Sequence, residues 1–237
     1  MSGDARSAAT QEMSGQALVW DEVFSTQPWG KYPSEDFIRF VARNFYRAPQ
    51  RKEVTVLELG CGPGANLWYL AREGFGFVGV DVSPTAIKLA SDRLSHEIPN
   101  WRAQGTLHVG NVQRVPLADA TVDAVIDHEA VYCNDFADSV AIYAEARRVL
   151  RPNGRLFVRT FANGCWGEST GKKVGPSSWE CSEGPLAGKG VARFTSKADL
   201  PELLRGFEVQ SIELITRTHM QGMHEIREWI VDAIKIP

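Results

Sequence analysis

An α/β fold, built as a doubly wound and mainly parallel sheet, is what this sequence predicts, and three observations predict it. Apolar β-branched runs alternate with segments of helical periodicity from residue 54 to residue 161, the pattern of strands joined by crossover helices. The first of those runs, Val54–Leu59, ends in a glycine-rich turn, Gly60-Cys61-Gly62-Pro63-Gly64, which leads straight into the helix-like ANLWYLAREG. The last two apolar runs, Phe207–Thr216 and Ile226–Ile236, have no helix between them and read as a closing hairpin.

Each element follows from a local signal. Pro33–Glu35 opens a helix on which Ile38, Phe40, Val41 and Phe45 recur at helical spacing. Residues 54–59 form the first strand, and a helix covers about 65–73. Gly74–Val80 is the second strand and closes on Asp81; Ser83-Pro84 then starts a helix over Thr85–Leu94. Leu107–Val109 and Val122–Ile126 are strands three and four. A helix over Ser139–Leu150 stops at Arg151-Pro152-Asn153-Gly154, a turn signal, and Arg155–Phe161 is strand five. A helix near 196–205 precedes the closing hairpin, which brings the expected sheet to seven strands. Residues 162–192 carry glycines at 164, 167, 171, 175, 184, 188 and 190 and read as a long irregular loop, a kind of segment that is often functional.

Composition narrows the classes. At 237 residues, 43% hydrophobic and 23% charged, the chain suits one soluble α/β domain. No apolar run is long enough to span a bilayer, and the polar residues 1–14 lack the apolar segment of a signal peptide and read as a loose tail. Cys61, Cys133, Cys165 and Cys181 form no CxxC pair, which implies a reduced, cytoplasmic protein without structural zinc or another metal. A net charge of −3 gives no broad pull toward nucleic acid. The basic cluster Arg147, Arg148, Arg151 and Arg155 reads as a solvated helix end.

Glu58-Leu-Gly60-Cys61-Gly62-Pro-Gly64 resembles the first motif of the class I S-adenosylmethionine-dependent methyltransferases, an acid followed by GxGxG. Asp81 with Val82 matches that family's ribose-binding acid, and Gly110-Asn111-Val112 stands where its adenine-contacting residues fall. Asp123-Ala-Val-Ile-Asp127 resembles its fourth strand, and Leu150–Arg155 the turn before its fifth. The resemblance covers roughly residues 54–161 and implies a Rossmann-like seven-stranded sheet whose last strand is reversed. It implies S-adenosyl-L-methionine as cofactor, held by Glu58, Gly60, Cys61, Gly62, Gly64, Asp81, Val82, Asn111, Val112 and Asp127. Glu58 would favour the ligand's ammonium, Asp81 would accept from two ribose hydroxyls, and the Asn111 amide would both accept from and donate to adenine. Asp81 also reads as a helix cap and Asn111 as a turn residue.

His128, Glu129 and Tyr132 follow strand four, at the carboxyl end where α/β sheets place their chemistry. His128 and Glu129 are candidate bases and Tyr132 a candidate substrate-orienting residue; His128 and Tyr132 equally read as buried structural residues. Residues 15–50 read as an N-terminal helical lid, with Trp20, Phe24, Trp29 and Tyr32 over the cofactor and substrate, or as a helix packed on the sheet. In the 162–192 insertion, Trp166, Trp179, Lys189 and Arg193 are candidates to shape a substrate pocket, or simply solvated loop residues. The expected function is transfer of a methyl group to a small-molecule acceptor, with no nucleic-acid or membrane partner. The alternatives are an NAD(P)-dependent oxidoreductase, because Gly60–Ala65 also satisfies GxGxxA, and a non-catalytic adenosylmethionine-binding protein.

Overall fold

The computed structural model describes residues 15–236; the predicted loose tail, residues 1–14, lies outside them. Seven strands form the central sheet: β1 (Thr55–Leu59), β2 (Gly76–Asp81), β3 (Gly105–Val109), β4 (Val122–His128), β5 (Leu150–Phe161), β9 (Phe207–His219) and β10 (His224–Lys235), in the order β3-β2-β1-β4-β5-β10-β9. The first five are mutually parallel, and β10 runs antiparallel to both β5 and β9. The sheet is therefore Rossmann-like with a reversed last strand, inserted one place in from the edge.

Alternation along the strands explains the double winding. Val56, Ala124, Ile126, Phe157 and Ile230 join one core with α2 (Glu35–Phe45), α3 (Ala65–Arg72) and Leu94 of α4 (Pro84–Glu97). Their neighbours Leu57, Val125, Leu156, Val158 and Val231 join the other, against α5 (Phe136–Val149) and the short α6 (Leu200–Leu203). Both faces are buried, so β1, β2 and β4 read as continuous apolar runs. The α2 helix is part of this packing: Phe37 is fully buried and meets Phe157 and Tyr69 edge-on. Of the expected N-terminal lid, α1 (Gly15–Thr26) and the stretch after it line the crevice at the ligand end of the sheet, and Asp21 pins α1 there by accepting from Ser83 Oγ and Thr85 N at 2.5 and 3.0 Å.

Three boundaries differ from expectation for physical reasons. The helix expected near 196–205 shrinks to Leu200–Leu203, because Pro201 can open a helix and Gly206, at φ +87°, ends the turn behind it. Strand four runs on through Asp127 and His128, which pair with Val158 and Arg159. The 162–192 segment is not an irregular loop throughout: β6 (Lys172–Gly175), β7 (Ser178–Glu180) and β8 (Val191–Arg193) form a small antiparallel sheet. Its β6–β7 hairpin turns through Pro176 and Ser177, with Ser177 at positive φ, and the short polar strands lack the alternation that would have announced them.

Candidate active site

The order β3-β2-β1-β4 reverses direction at β1, and the carboxyl ends of strands flanking such a reversal open a crevice. A cavity of about 460 Å³ occupies it. Glu58, Gly60, Cys61, Gly62, Asp81, Val82, Asn111 and Val112 line it from the sheet. Trp20, Phe24, Trp29 and Tyr32 line it from the N-terminal segment, and His128, Glu129 and Tyr132 from the end of β4.

Glu58 is buried near the end of β1. Its Oε1 accepts from Asn66 Nδ2 at 2.6 Å, while Oε2 is buried with no partner. Burial pushes its carboxyl up to about 8, against the Asn66 bond and reinforced by Asp81 and Asp127. Asp81 ends β2 and accepts from Gly62 N and Ser83 N, at 2.8 and 2.9 Å, one on each oxygen. It thus holds the glycine turn and keeps unused lone pairs on both oxygens. Gly62 sits at φ +49°, and a Cβ there would touch Phe24 Cζ at 3.4 Å. Burial keeps the Cys61 thiol protonated, well above its usual range. Asn111 lines the cavity, and its Oδ1 accepts from Gln113 N at 2.9 Å, an Asx-type turn that leaves a second lone pair on that oxygen.

Two expected cofactor residues stand outside the cavity lining. Gly64, at φ +79°, opens α3, and a Cβ there would come within 2.9 Å of Ala90 Cβ: it is a glycine of helix packing. Asp127 is fully buried and saturated: Oδ1 accepts from Ala130 N and Val131 N, both at 3.0 Å, and Oδ2 from the Tyr143 hydroxyl at 2.6 Å. It shapes the turn that carries His128–Tyr132.

His128 Nε2 lies 2.9 Å from Ser34 Oγ, the hydroxyl that caps α2, and burial with nearby Arg159 pulls the ring down to about 4, so it is neutral near pH 7. Tyr132 is buried edge-on to Phe161 at 4.9 Å, and burial raises its phenol well above the usual value. Glu129 has a positive φ of 59° and aims its carboxyl at Arg159 Nε, 2.8 Å away.

Trp20, Phe24 and Trp29 form one aromatic cluster, with ring centroids 5.1–5.8 Å apart. Lys189 holds its ammonium 5.2 Å over Trp29 and lines the cavity, lowered from its usual range by burial. Gln16 clasps the insertion to α1, donating to Lys189 O and accepting from Val191 N. Arg193 and Trp166 do not line the cavity. The Arg193 side chain is buried, bonded to Thr195 Oγ1 and Ser139 Oγ, where it fastens β8 to α5. Trp166 stacks on His224 at 4.2 Å and fastens the insertion to the closing hairpin. Glu228 and Arg217, from that hairpin, do line the cavity and were missed. No local motif marks them, since β10 brings Glu228 beside Arg159 across 69 residues of sequence. Among the described residues no metal-ligand cluster occurs, all four cysteines are free, and no helix is long and apolar enough to cross a membrane.

The raised carboxyls set a pH dependence. Glu58 and Glu129 keep protons near pH 7 in the fold, whereas the unfolded chain releases them near its ordinary value of 4.5. Their stabilising contribution is therefore lost as pH rises toward about 8, with a limiting slope of about 1.4 kcal/mol per pH unit per group. His128 acts in the opposite sense, but only between about 4 and 6.5. Melting temperature should fall between about pH 6.5 and pH 8 and level off above; Glu58→Gln should flatten the fall, and an unchanged slope would reject the protonated Glu58.

Residues 57–158 match a family described as a methyltransferase domain. A phthiotriol/phenolphthiotriol dimycocerosates methyltransferase from Mycobacterium leprae is 33% identical over 103 residues, 43% of this chain and 35% of that protein. The 18S rRNA (guanine-N(7))-methyltransferase of Bos taurus is 37% identical over 89 residues, 36% of this chain and 29% of that protein. The matched stretch spans less than half the length of these relatives. The crystal structure of a 1,6-didemethyltoxoflavin-N1-methyltransferase from Burkholderia thailandensis, with bound 1,6-didemethyltoxoflavin and S-adenosylhomocysteine, superposes with a TM-score of 0.60 at 17% identity, covering 99% of this chain and 94% of that one. The family match over residues 57–158, the ordered motif from Glu58 to Asp81 and the strand order agree, and that stretch is a methyltransferase domain with the features of the class I S-adenosylmethionine-dependent enzymes.

Proposed function

We propose that this protein binds S-adenosyl-L-methionine in the crevice at β1 and transfers its methyl group to a small-molecule acceptor. The observation that carries the reading is Glu58 Oε2, a buried acceptor without a partner, in one cavity with Asp81. A buried carboxyl oxygen left without a partner costs stability, and a cationic amine relieves it by drawing off the proton that burial keeps on Glu58 and pairing with the carboxylate. Asp81 keeps the lone pairs that two ribose hydroxyls require, and Gly60 and Gly62 line the same cavity without side chains. Bound there, the cofactor supplies an electrophilic methyl group on a sulfonium.

The residues of the chain do the rest. Glu58 binds the amine, Asp81 the ribose, and Asn111 the adenine edge. Trp20, Phe24 and Trp29 exclude water and offer aromatic faces to a cation, worth ~0.5–2 kcal/mol. Tyr132, Phe161 and Ile226 give the far wall an apolar, aromatic surface suited to an organic molecule held in line with the breaking bond. His128, neutral and tied to Ser34, serves to position β4 against α2. Glu129 remains the candidate base.

A labelling experiment tests the acceptor class. Incubating the protein with methyl-labelled adenosylmethionine and a fractionated cell extract should put label into the small-molecule fraction. Label confined to RNA or to protein would overturn the small-molecule reading.

A further inference from the structure

Four elements converge on one buried charge cluster at the wall of the cavity. Arg159 of β5 directs Nε to Glu228 Oε1 at 3.1 Å and to Glu129 Oε1 at 2.8 Å, and Nη2 to Glu228 Oε2 at 2.7 Å. Its Nη1 reaches Asp36 of α2 at 3.4 Å, and Arg217 of β9 meets Glu228 Oε2 at 3.2 Å. The Glu228 side chain has no exposure, whereas Glu129 keeps 29%. His128 is neutral beside the cluster, and Lys189 faces Glu129 with its ammonium over Trp29 rather than in an ion pair.

Three carboxyls thus meet two guanidiniums. Fully ionised, the contacting groups sum to −1; one proton on the Glu129–Glu228 pair brings the sum to zero. Two carboxylates sharing one partner do not both ionise readily in a buried site. We propose that Glu129 and Glu228 form a single-proton carboxyl pair that gives up its proton when the cationic cofactor binds and takes one back from the methyl acceptor, which is therefore a hydroxyl or N–H compound. This rests on the methyltransferase reading above.

The direction of the pair is set by its surroundings. Burial and the neighbouring Glu228 push Glu129 up to about 8. Against its own burial, Glu228 is held below the usual carboxylate range by hydrogen bonds from Glu129 and Arg159. The exchangeable proton therefore sits on Glu129, the more exposed partner, and Glu228 is the positioning residue behind it. Glu129 lines the cavity, and the next residue, Ala130, sets its Cβ against Gly60 of the cofactor turn.

The step balances. The acceptor's lone pair forms the bond to the methyl carbon. The carbon–sulfur bond breaks, with its electron pair going to sulfur. The acceptor's proton moves to the Glu129 carboxylate. The positive charge at sulfur and the negative charge at Glu129 vanish together, so the buried cluster returns to neutrality. An acceptor with no proton to lose, such as a carboxylate, would leave Glu129 charged after the cation had gone.

The proton count can be read without knowing the acceptor. Calorimetric titration at pH 7 in two buffers of different ionisation heat gives the protons released on binding of adenosylmethionine and of adenosylhomocysteine. Both ligands carry the amine that faces Glu58, so any release from Glu58 is common to both. Only the first carries the sulfonium, and it should release about 0.5–1 proton more. Glu129→Gln should erase that difference while leaving adenosylhomocysteine affinity within about threefold. Equal release by both ligands in the unmodified protein, or a difference that survives in Glu129→Gln, would overturn the proposal and leave cofactor binding intact. Failure of both ligands to bind would overturn the cofactor reading and this inference with it.

Discussion

Gly62→Val is expected to abolish cofactor binding while leaving the protein folded. Gly62 holds φ at +49°, a conformation that costs a β-branched residue about 1–3 kcal/mol. The added side chain would also push against Phe24, whose ring stands 3.4 Å from the position of the new Cβ. Phe24, and Trp29 whose Nε1 would stand 3.9 Å from the new Cβ, belong to the aromatic wall, so the substitution narrows the crevice on that side. A loss of affinity on the order of 100-fold or more, about 2.7 kcal/mol, is expected from the intrusion of the side chain into the cavity, whereas the strain at φ lowers the stability of the fold. Circular dichroism and a melting curve would establish that the sheet survives. Normal binding by the folded variant would mean that the glycine turn is not the cofactor cradle.

Asp81→Ala has the next largest expected effect. It removes the acceptor for two ribose hydroxyls and also frees Gly62 N and Ser83 N, which Asp81 holds at 2.8 and 2.9 Å. The expected loss is about 1–3 kcal/mol of cofactor affinity, the scale of hydrogen bonds to a charged group. Asp81→Asn is the intermediate case: its single amide oxygen can accept from Gly62 N or from Ser83 N but not from both, and it lacks the charge that strengthens the bond to ribose. Affinity should fall in both variants, and more steeply in alanine. Unchanged affinity in Asp81→Ala would leave only the structural role at the turn and at Ser83.

The readable parts of this molecule are those encoded within a few residues of one another. The strand at 54–59, its glycine turn and the helix behind it follow from composition and spacing alone, as does the closing hairpin. Glu58 and Asp81 stand out because each ends an apolar strand, and both line the cavity. Asp127 also ends an apolar run, yet its oxygens face Ala130, Val131 and Tyr143; sequence shows where a carboxylate falls on a strand but not which way its bonds are satisfied. Arg193 was open to a substrate-facing or a solvated reading, and it is neither, because β8 turns it under α5 toward Ser139. Glu228 and Arg217 carry no local signal, since their approach to Arg159 and Glu129 depends on the register of β10 between β5 and β9. Long-range pairing fixes such clusters, and a single sequence does not print it.

The central claim is that the crevice at β1 is built for adenosylmethionine and not for a nicotinamide dinucleotide, and its most direct test is calorimetry of the full chain with each. The expected result is binding of adenosylmethionine at one site per chain, competed by adenosylhomocysteine, with no heat from NAD or NADP. Saturable binding of NAD with none of adenosylmethionine would contradict it.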